Sequence, residues 1–157
     1  MVTIEYLEGH THLIPEMASL AYAEWKRLYD LAGITPDGVR TIFMQRAVKT
    51  QIPLTIVALK NDALVGMGDV KLSESTDPNL SPWLSTIYVK ESERGQGIGS
   101  MIVRGLEQKA AGLGVKKLYL SAENTKEFYL KLGWTVRNEA LFYGEKMTVM
   151  EKQLRGV

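Results

Sequence analysis

The sequence predicts one α/β (α+β) domain over residues 1–157, a single mixed sheet flanked by helices. Three observations point there. Hydrophobic residues make up 45% of the 157 and charged ones 24%, the balance of an ordinary globular chain. Apolar spacing switches repeatedly between alternation and a helical period, so strands and helices interleave. Glycine and proline punctuation between these segments is short, with no repeat, low-complexity tract or domain linker.

Val2, Ile4 and Tyr6 alternate with Thr3 and Glu5, a first strand that Gly9 helps to end. Over Leu13–Tyr29, the residues Leu13, Met17, Leu20, Ala21, Trp25 and Leu28 recur at helical spacing, which predicts one core-facing helix. Gly33 breaks it. Thr35 as cap and Pro36 at the first helical position predict a second helix from Pro36 to Val48. Ile52–Lys60 and Ala63–Leu72 read as strands joined by a tight turn at Asn61-Asp62, and Gly66 and Gly68 mark a bulge or a close backbone approach. Ser73–Pro82 is a loop, and Trp83–Val89 is a β-prone run. Ile98, Met101, Ile102, Leu106 and Ala110 then mark the buried face of a helix ending at Gly112 or Gly114. Val115–Leu120 is a strand, Thr125–Leu132 a short helix closed by Gly133, and Trp134–Val136 and Lys146–Leu154 supply the last strands.

Composition removes several kinds of function. Cysteine is absent, which excludes disulfides, thiolate metal ligands and cysteine nucleophiles, and suits a reducing compartment. His10 and His12 are the only histidines, so no histidine-rich metal site is expected. The 19 basic and 18 acidic residues are interspersed and sum to +1, so neither nucleic acid nor an anionic membrane is expected as a partner. No long apolar run or basic-flanked apolar leader stands out, and the expected location is cytoplasmic.

The chemical signal lies between Ile87 and Ser100. In Arg94-Gly95-Gln96-Gly97-Ile98-Gly99 the glycines permit tight turns, and the helix that follows aims unpaired N–H groups at an anion. Arg94 adds a fork of donors and Ser100 a hydroxyl. The segment lacks the Gly-Lys-Ser/Thr ending of a mononucleotide loop and the spacing of a dinucleotide fingerprint. Alone, it reads equally as a strand-to-helix turn.

The wider Ile87–Trp134 region resembles the GNAT N-acetyltransferase family. That family's acetyl-CoA pyrophosphate motif is Gln/Arg-x-x-Gly-x-Gly/Ala, and its Phe/Leu-Tyr-x-Lys-x-Gly-Phe/Trp segment is matched by Phe128-Tyr129-Leu130-Lys131-Leu132-Gly133-Trp134. The resemblance implies a mostly antiparallel acyl-CoA N-acyltransferase fold and an acetyl-CoA-dependent N-acetyltransferase that transfers directly to a small-molecule amine or a peptide or protein N-terminus. It implies that Ile87, Tyr88 and Val89 run beside the pantetheine arm. Arg94, Gly95 and the backbone from Gln96 through Gly97, Ile98 and Gly99 to Ser100 would hold the pyrophosphate. Tyr129 is the implied general acid for the departing thiolate, and Phe128 and Trp134 are structural. Many relatives carry a cofactor-contacting asparagine where Ala122 stands here, and Asn124 is the nearby replacement.

No general base carries over. Relatives that acetylate proteins have a glutamate where Trp83 stands, so Asp69 and Glu123 are this chain's own candidates. Glu74 and Asp77 are placed to attract a cationic acceptor, and Tyr29, Trp83 and Tyr143 to wall its site, with Trp25 and Phe43. A noncatalytic acyl-CoA sensor and a protein-interaction domain are the alternatives, and both a monomer and a homodimer fit the sequence.

Overall fold

The computed structural model describes residues 1–155. Its strands are β1 (Val2–Tyr6), β2 (Leu54–Lys60), β3 (Ala63–Lys71), β4 (Trp83–Val89), β5 (Lys117–Ala122), β6 (Thr135–Phe142) and β7 (Glu145–Gln153). They form one sheet in the order β1-β2-β3-β4-β5-β7-β6. Every neighbouring pair is antiparallel except β4 and β5, which are parallel and share the single register pair Trp83↔Tyr119. This is the mixed, mostly antiparallel sheet expected from the sequence.

The helices are α1 (Ile14–Glu24), α2 (Lys26–Leu31), α3 (Pro36–Gln45), α4 (Ile98–Gly112) and α5 (Lys126–Lys131). On one face α1 and α3 bury Met17, Ala21, Val39 and Phe43 against Val57 and Met67. On the other α4 and α5 bury Ile98, Ile102, Leu106 and Tyr129 against Ile56, Val70 and Leu120. Fully burying an aliphatic or aromatic side chain of this kind is worth about 1.5–3 kcal/mol, so the two layers supply most of the driving force. Gly68 explains how closely α4 sits on β3: a Cβ there would lie 2.8 Å from both Ile102 and Leu106. The β3–β4 register also shifts between Met67 and Asp69, and Thr86 opposite has φ 56°, a bulge in β4.

The Asn61-Asp62 turn forms as expected, both residues having positive φ (51° and 64°), as a tight hairpin needs. Thr35 caps α3 by accepting the Gly38 N–H at 3.1 Å, but α3 stops at Gln45 rather than Val48. The helix expected over Leu13–Tyr29 is broken at Trp25 (φ −116°, ψ 32°) into α1 and α2. Apolar periodicity misses this break because Trp25 and Leu28 keep helical spacing across it. Its consequence is that the Trp25 ring meets Tyr88 edge-on at 6.3 Å, while α2 has no buried residue. Met101 was expected on the buried face of α4 but is 37% exposed, and Val103 takes the inward position. β6 runs well past Val136, because Arg137, Asn138 and Glu139 lie on an exposed edge strand with no apolar alternation to read.

Candidate active site

The parallel pair opens a gap in the sheet. The Tyr119 N–H donates to Pro82 O at 3.1 Å, and beyond Trp83↔Tyr119 no further register pair joins β4 to β5. On its other side β4 follows the antiparallel alternation with β3, fixed where the Lys90 N–H donates to Val65 O at 2.9 Å. By that alternation Tyr88 directs its backbone groups to β3, whereas Ile87 and Val89 turn theirs toward the gap. Of these, the Val89 carbonyl is already taken, accepting from Arg94 Nε at 2.9 Å. Ile87 and the Val89 N–H therefore present a short free strand edge. Tyr88 contributes its ring instead, which lies under the Arg94 guanidinium at 5.6 Å.

An anion cradle closes the end of this gap. Gly95 and Gly97 sit at φ 81° and 82°, and α4 begins at Ile98 with its first backbone bond from the Met101 N–H to Gly97 O at 3.1 Å. The N–H groups of Ile98, Gly99 and Ser100 precede that bond and have no intrahelical acceptor. No side chain caps this end, and its first turn holds no carboxylate. The space above Gly95 and Gly97 is open, with nothing within 4 Å of a Cβ built at either. Three free donors, the positive end of a helix dipole, the remaining nitrogens of Arg94 and unobstructed space fit a diphosphate. Ile98 offers only its backbone, since its side chain is buried. Gln96 donates to Glu93 at 3.3 Å and stays at the rim.

Tyr129, on α5, packs in the same core as Ile98, and the ring of its neighbour Phe128 lies 3.3 Å from a Cβ built on Gly99. Its ring is held edge-on between Phe128 at 5.0 Å and Trp134 at 6.1 Å, and only 8% of the residue is exposed. Burial pushes its hydroxyl from 10 up to about 12, so it keeps its proton. Tyr29 is pushed to about 12 as well, by burial and then by the charge of Asp69, with Arg46 opposing. A titration followed at 295 nm is expected to show these two phenols ionising near pH 12. Because the folded values lie above the unfolded one, the stabilisation is intact below pH 10 and is lost as pH rises through about 12. The Tyr129→Phe protein should lack one late step.

The acceptor-side residues fare unequally. Asp69 is 1% exposed, with Arg46 Nη1 donating to one oxygen and Thr55 Oγ1 to the other, each at 2.6 Å. Both oxygens are engaged, so Asp69 anchors Arg46 and is not placed as a base; this corrects the sequence expectation. Trp83 is also corrected. It has no exposed surface, its Nε1–H donates to Leu80 O at 2.7 Å, and it packs on Tyr119 at 5.6 Å as core. Glu74 is tied to Lys71 at 2.9 Å. Glu123 and Asn124 are exposed and line a cavity of about 530 Å³ beside α5, with Glu127, Glu139, Glu145 and Lys146. Tyr143 occupies the β6–β7 turn at φ 49°, where Arg27 of α2 reaches across to pair with Glu145 at 3.3 Å. Tyr29 is half-buried and stacks on Tyr22 at 6.1 Å.

Sequence reading missed Arg46 and Arg27, and no local pattern could have found them, since their partners lie 23 and 118 positions along the chain. Arg46→Ala leaves a buried carboxylate without its cation and is expected to cost about 3–5 kcal/mol, read as a lower urea midpoint.

The model of the acetyltransferase (GNAT) family matches residues 19–134. The chain belongs to that family. It is 33% identical over 72 residues to N-alpha-acetyltransferase 80 of Mus musculus, a stretch covering 46% of this chain and 23% of that protein, so the match spans about a quarter of that relative's length. Three solved GNAT-like structures share the fold. An aminoglycoside 6'-N-acetyltransferase complexed with coenzyme A superposes with a TM-score of 0.76 at 18% identity, covering 98% of this chain and 96% of that one. The PaiA N-acetyltransferase of Thermoplasma acidophilum, in complex with coenzyme A, gives 0.70 at 19%, covering 98% and 99%. A GNAT acetyltransferase from Streptococcus pneumoniae gives 0.71 at 13%, covering 99% and 100%. Among the described residues no three His, Asp or Glu side chains cluster to hold a metal, and no helix is long and apolar enough to cross a membrane.

Proposed function

We propose that this GNAT-family protein transfers an acetyl group from acetyl-CoA directly to a primary amine. The observation that carries the reading is the N–H cradle at Ile98–Ser100 closing a gap edged by Ile87 and Val89 of β4, with Tyr129 packed in the same core as Ile98. Acetyl-CoA, when bound, supplies the acetyl group as a thioester already activated toward nitrogen.

The chain's own groups do the rest. Backbone donors of α4 and the free nitrogens of Arg94 hold the diphosphate. The Ile87 and Val89 amides pair with the amide-bearing arm as a strand edge pairs with an added strand. The Ile87 N–H is the donor available to an oxyanion, in a gap the protein has already opened. Tyr129 donates toward the departing sulfur. Among the described residues the one buried carboxylate, Asp69, has both oxygens engaged, so the amine must arrive neutral or lose its proton to water or to the exposed Glu123. Rate is therefore expected to rise with pH as the acceptor amine deprotonates.

A hydroxyl kept protonated and free of protein partners favours an enzyme over an acyl-CoA sensor, which has no need of one. Calorimetric titration with acetyl-CoA and with free CoA tests the first half of this reading, and CoA release over an amine panel tests the second. Saturable binding and amine-dependent release are expected. Folded protein that binds neither compound overturns the proposal, and binding without release for any amine favours the sensor.

A further inference from the structure

On the face of the sheet opposite α4, β3 carries an ion pair that acetyl transfer does not use. Asp69 has both oxygens engaged by Arg46 and Thr55. Arg46 is held by its backbone too: it follows the last residue of α3, and its carbonyl accepts the Thr55 N–H at 3.0 Å. The guanidinium is thus fixed in orientation, yet among the described residues only Nη1 is engaged, and 19% of the side chain stays exposed. Tyr29 packs against the α1–α3 core on this same face of the sheet. The free guanidinium nitrogens are donors only, and both Asp69 oxygens beside them are already engaged. A donor-only guanidinium favours a hydrogen-bond acceptor, and its planar fork matches a carboxylate.

The cluster is also well placed. Asp69 pairs across to Ser85, immediately before the bulge at Thr86. Strand spacing and rise put Asp69 about 8 Å from the Ile87 backbone, on the face where α2 and the β6–β7 hairpin meet through Arg27 and Glu145.

We propose that Arg46, oriented by Asp69, binds a carboxylate carried by the acceptor, so that the substrates are amines bearing an acidic group. This rests on the acetyl-transfer reading above. The Arg46–Asp69 pair is neutral overall, so selection comes from directed donors and not from net charge.

Acceptors that differ only in the carboxylate test it: glycine against glycinamide, β-alanine against β-alaninamide, 4-aminobutanoate against its amide, and amidated tetrapeptides beginning with Asp or Glu against Asn or Gln. Binding to CoA-saturated protein is followed by ligand-observed NMR, and kcat and KM by CoA release. In at least one pair the carboxylate member is expected to be preferred by about tenfold or more, as a charge-assisted hydrogen bond allows. The pair that shows it tells a free amino acid from an acidic peptide. Arg46→Lys keeps a cation opposite Asp69, and hence the fold, but loses the fork; the preference should collapse to about threefold or less, through KM. Equal binding of both members, binding of neither, or full preference in Arg46→Lys overturns the carboxylate site while leaving acetyl transfer standing. Failure to bind CoA overturns both.

Discussion

Tyr129→Phe is expected to lower kcat about 100-fold while changing the Kd for acetyl-CoA by no more than about twofold. The substitution removes one oxygen from a ring whose packing against Phe128 and Trp134 is otherwise kept. The size of the effect follows from the position of the hydroxyl. At about 12 it lies roughly 3 units above an ordinary cysteine-type thiol, so complete proton transfer to a thiolate runs uphill by about 4–5 kcal/mol. The phenol therefore acts chiefly as a hydrogen-bond donor to the developing charge, which sets its contribution at the lower end of the range for general acid catalysis. The same position fixes the pH dependence: the donor form persists until pH nears 12, so the wild-type profile rises with amine deprotonation and shows no fall below pH 11 attributable to this group. Equal kcat for Tyr129→Phe and wild type across the pH series overturns the acid assignment.

What the sequence made legible, and what it hid, follows from the range of the interactions. The turn and helix start at Arg94–Ser100 could be read because they are backbone geometry: glycines at fixed spacing form them without help from distant residues. The packing of Tyr129 is local in the same way, since it lies in a short segment whose aromatics pack on one another. The acceptor side obeys long-range register. Asp69 looked like a free carboxylate until the pairing of β2 with β3 put Thr55 opposite it and the end of α3 brought Arg46 alongside. Trp83 looked like an aromatic wall until the single β4–β5 pair set it against Tyr119. The break at Trp25 and the length of β6 escaped because neither changes the local apolar pattern enough to register.

That division bears on mechanism. The N–H cradle is built from fixed backbone, whereas Arg46 with Asp69 and Arg27 with Glu145 are pairs of side chains drawn from separate elements. On the acetyl-transfer reading, substitutions at such pairs would change the acceptor without disturbing the cradle.

Gly97→Val is expected to weaken acetyl-CoA binding about 100-fold or more while costing the free protein only about 1–2 kcal/mol of stability. Gly97 sits at φ 82°, where a side chain is strained, but nothing lies within 4 Å of the Cβ, so the free fold meets strain and no clash. In the complex the added methyls would occupy the space through which phosphate oxygens approach the Ile98–Ser100 amides. Loss of two charge-assisted hydrogen bonds at about 1.5–3 kcal/mol each accounts for a 100-fold effect. Gly114 is the control. It has φ 90° and equally empty surroundings, but follows the far end of α4. Gly114→Val should therefore show similar strain in thermal unfolding and an unchanged Kd. Equal loss of affinity in the two proteins would mean that strain, not steric exclusion at the cradle, governs binding, and the diphosphate would have to be held elsewhere.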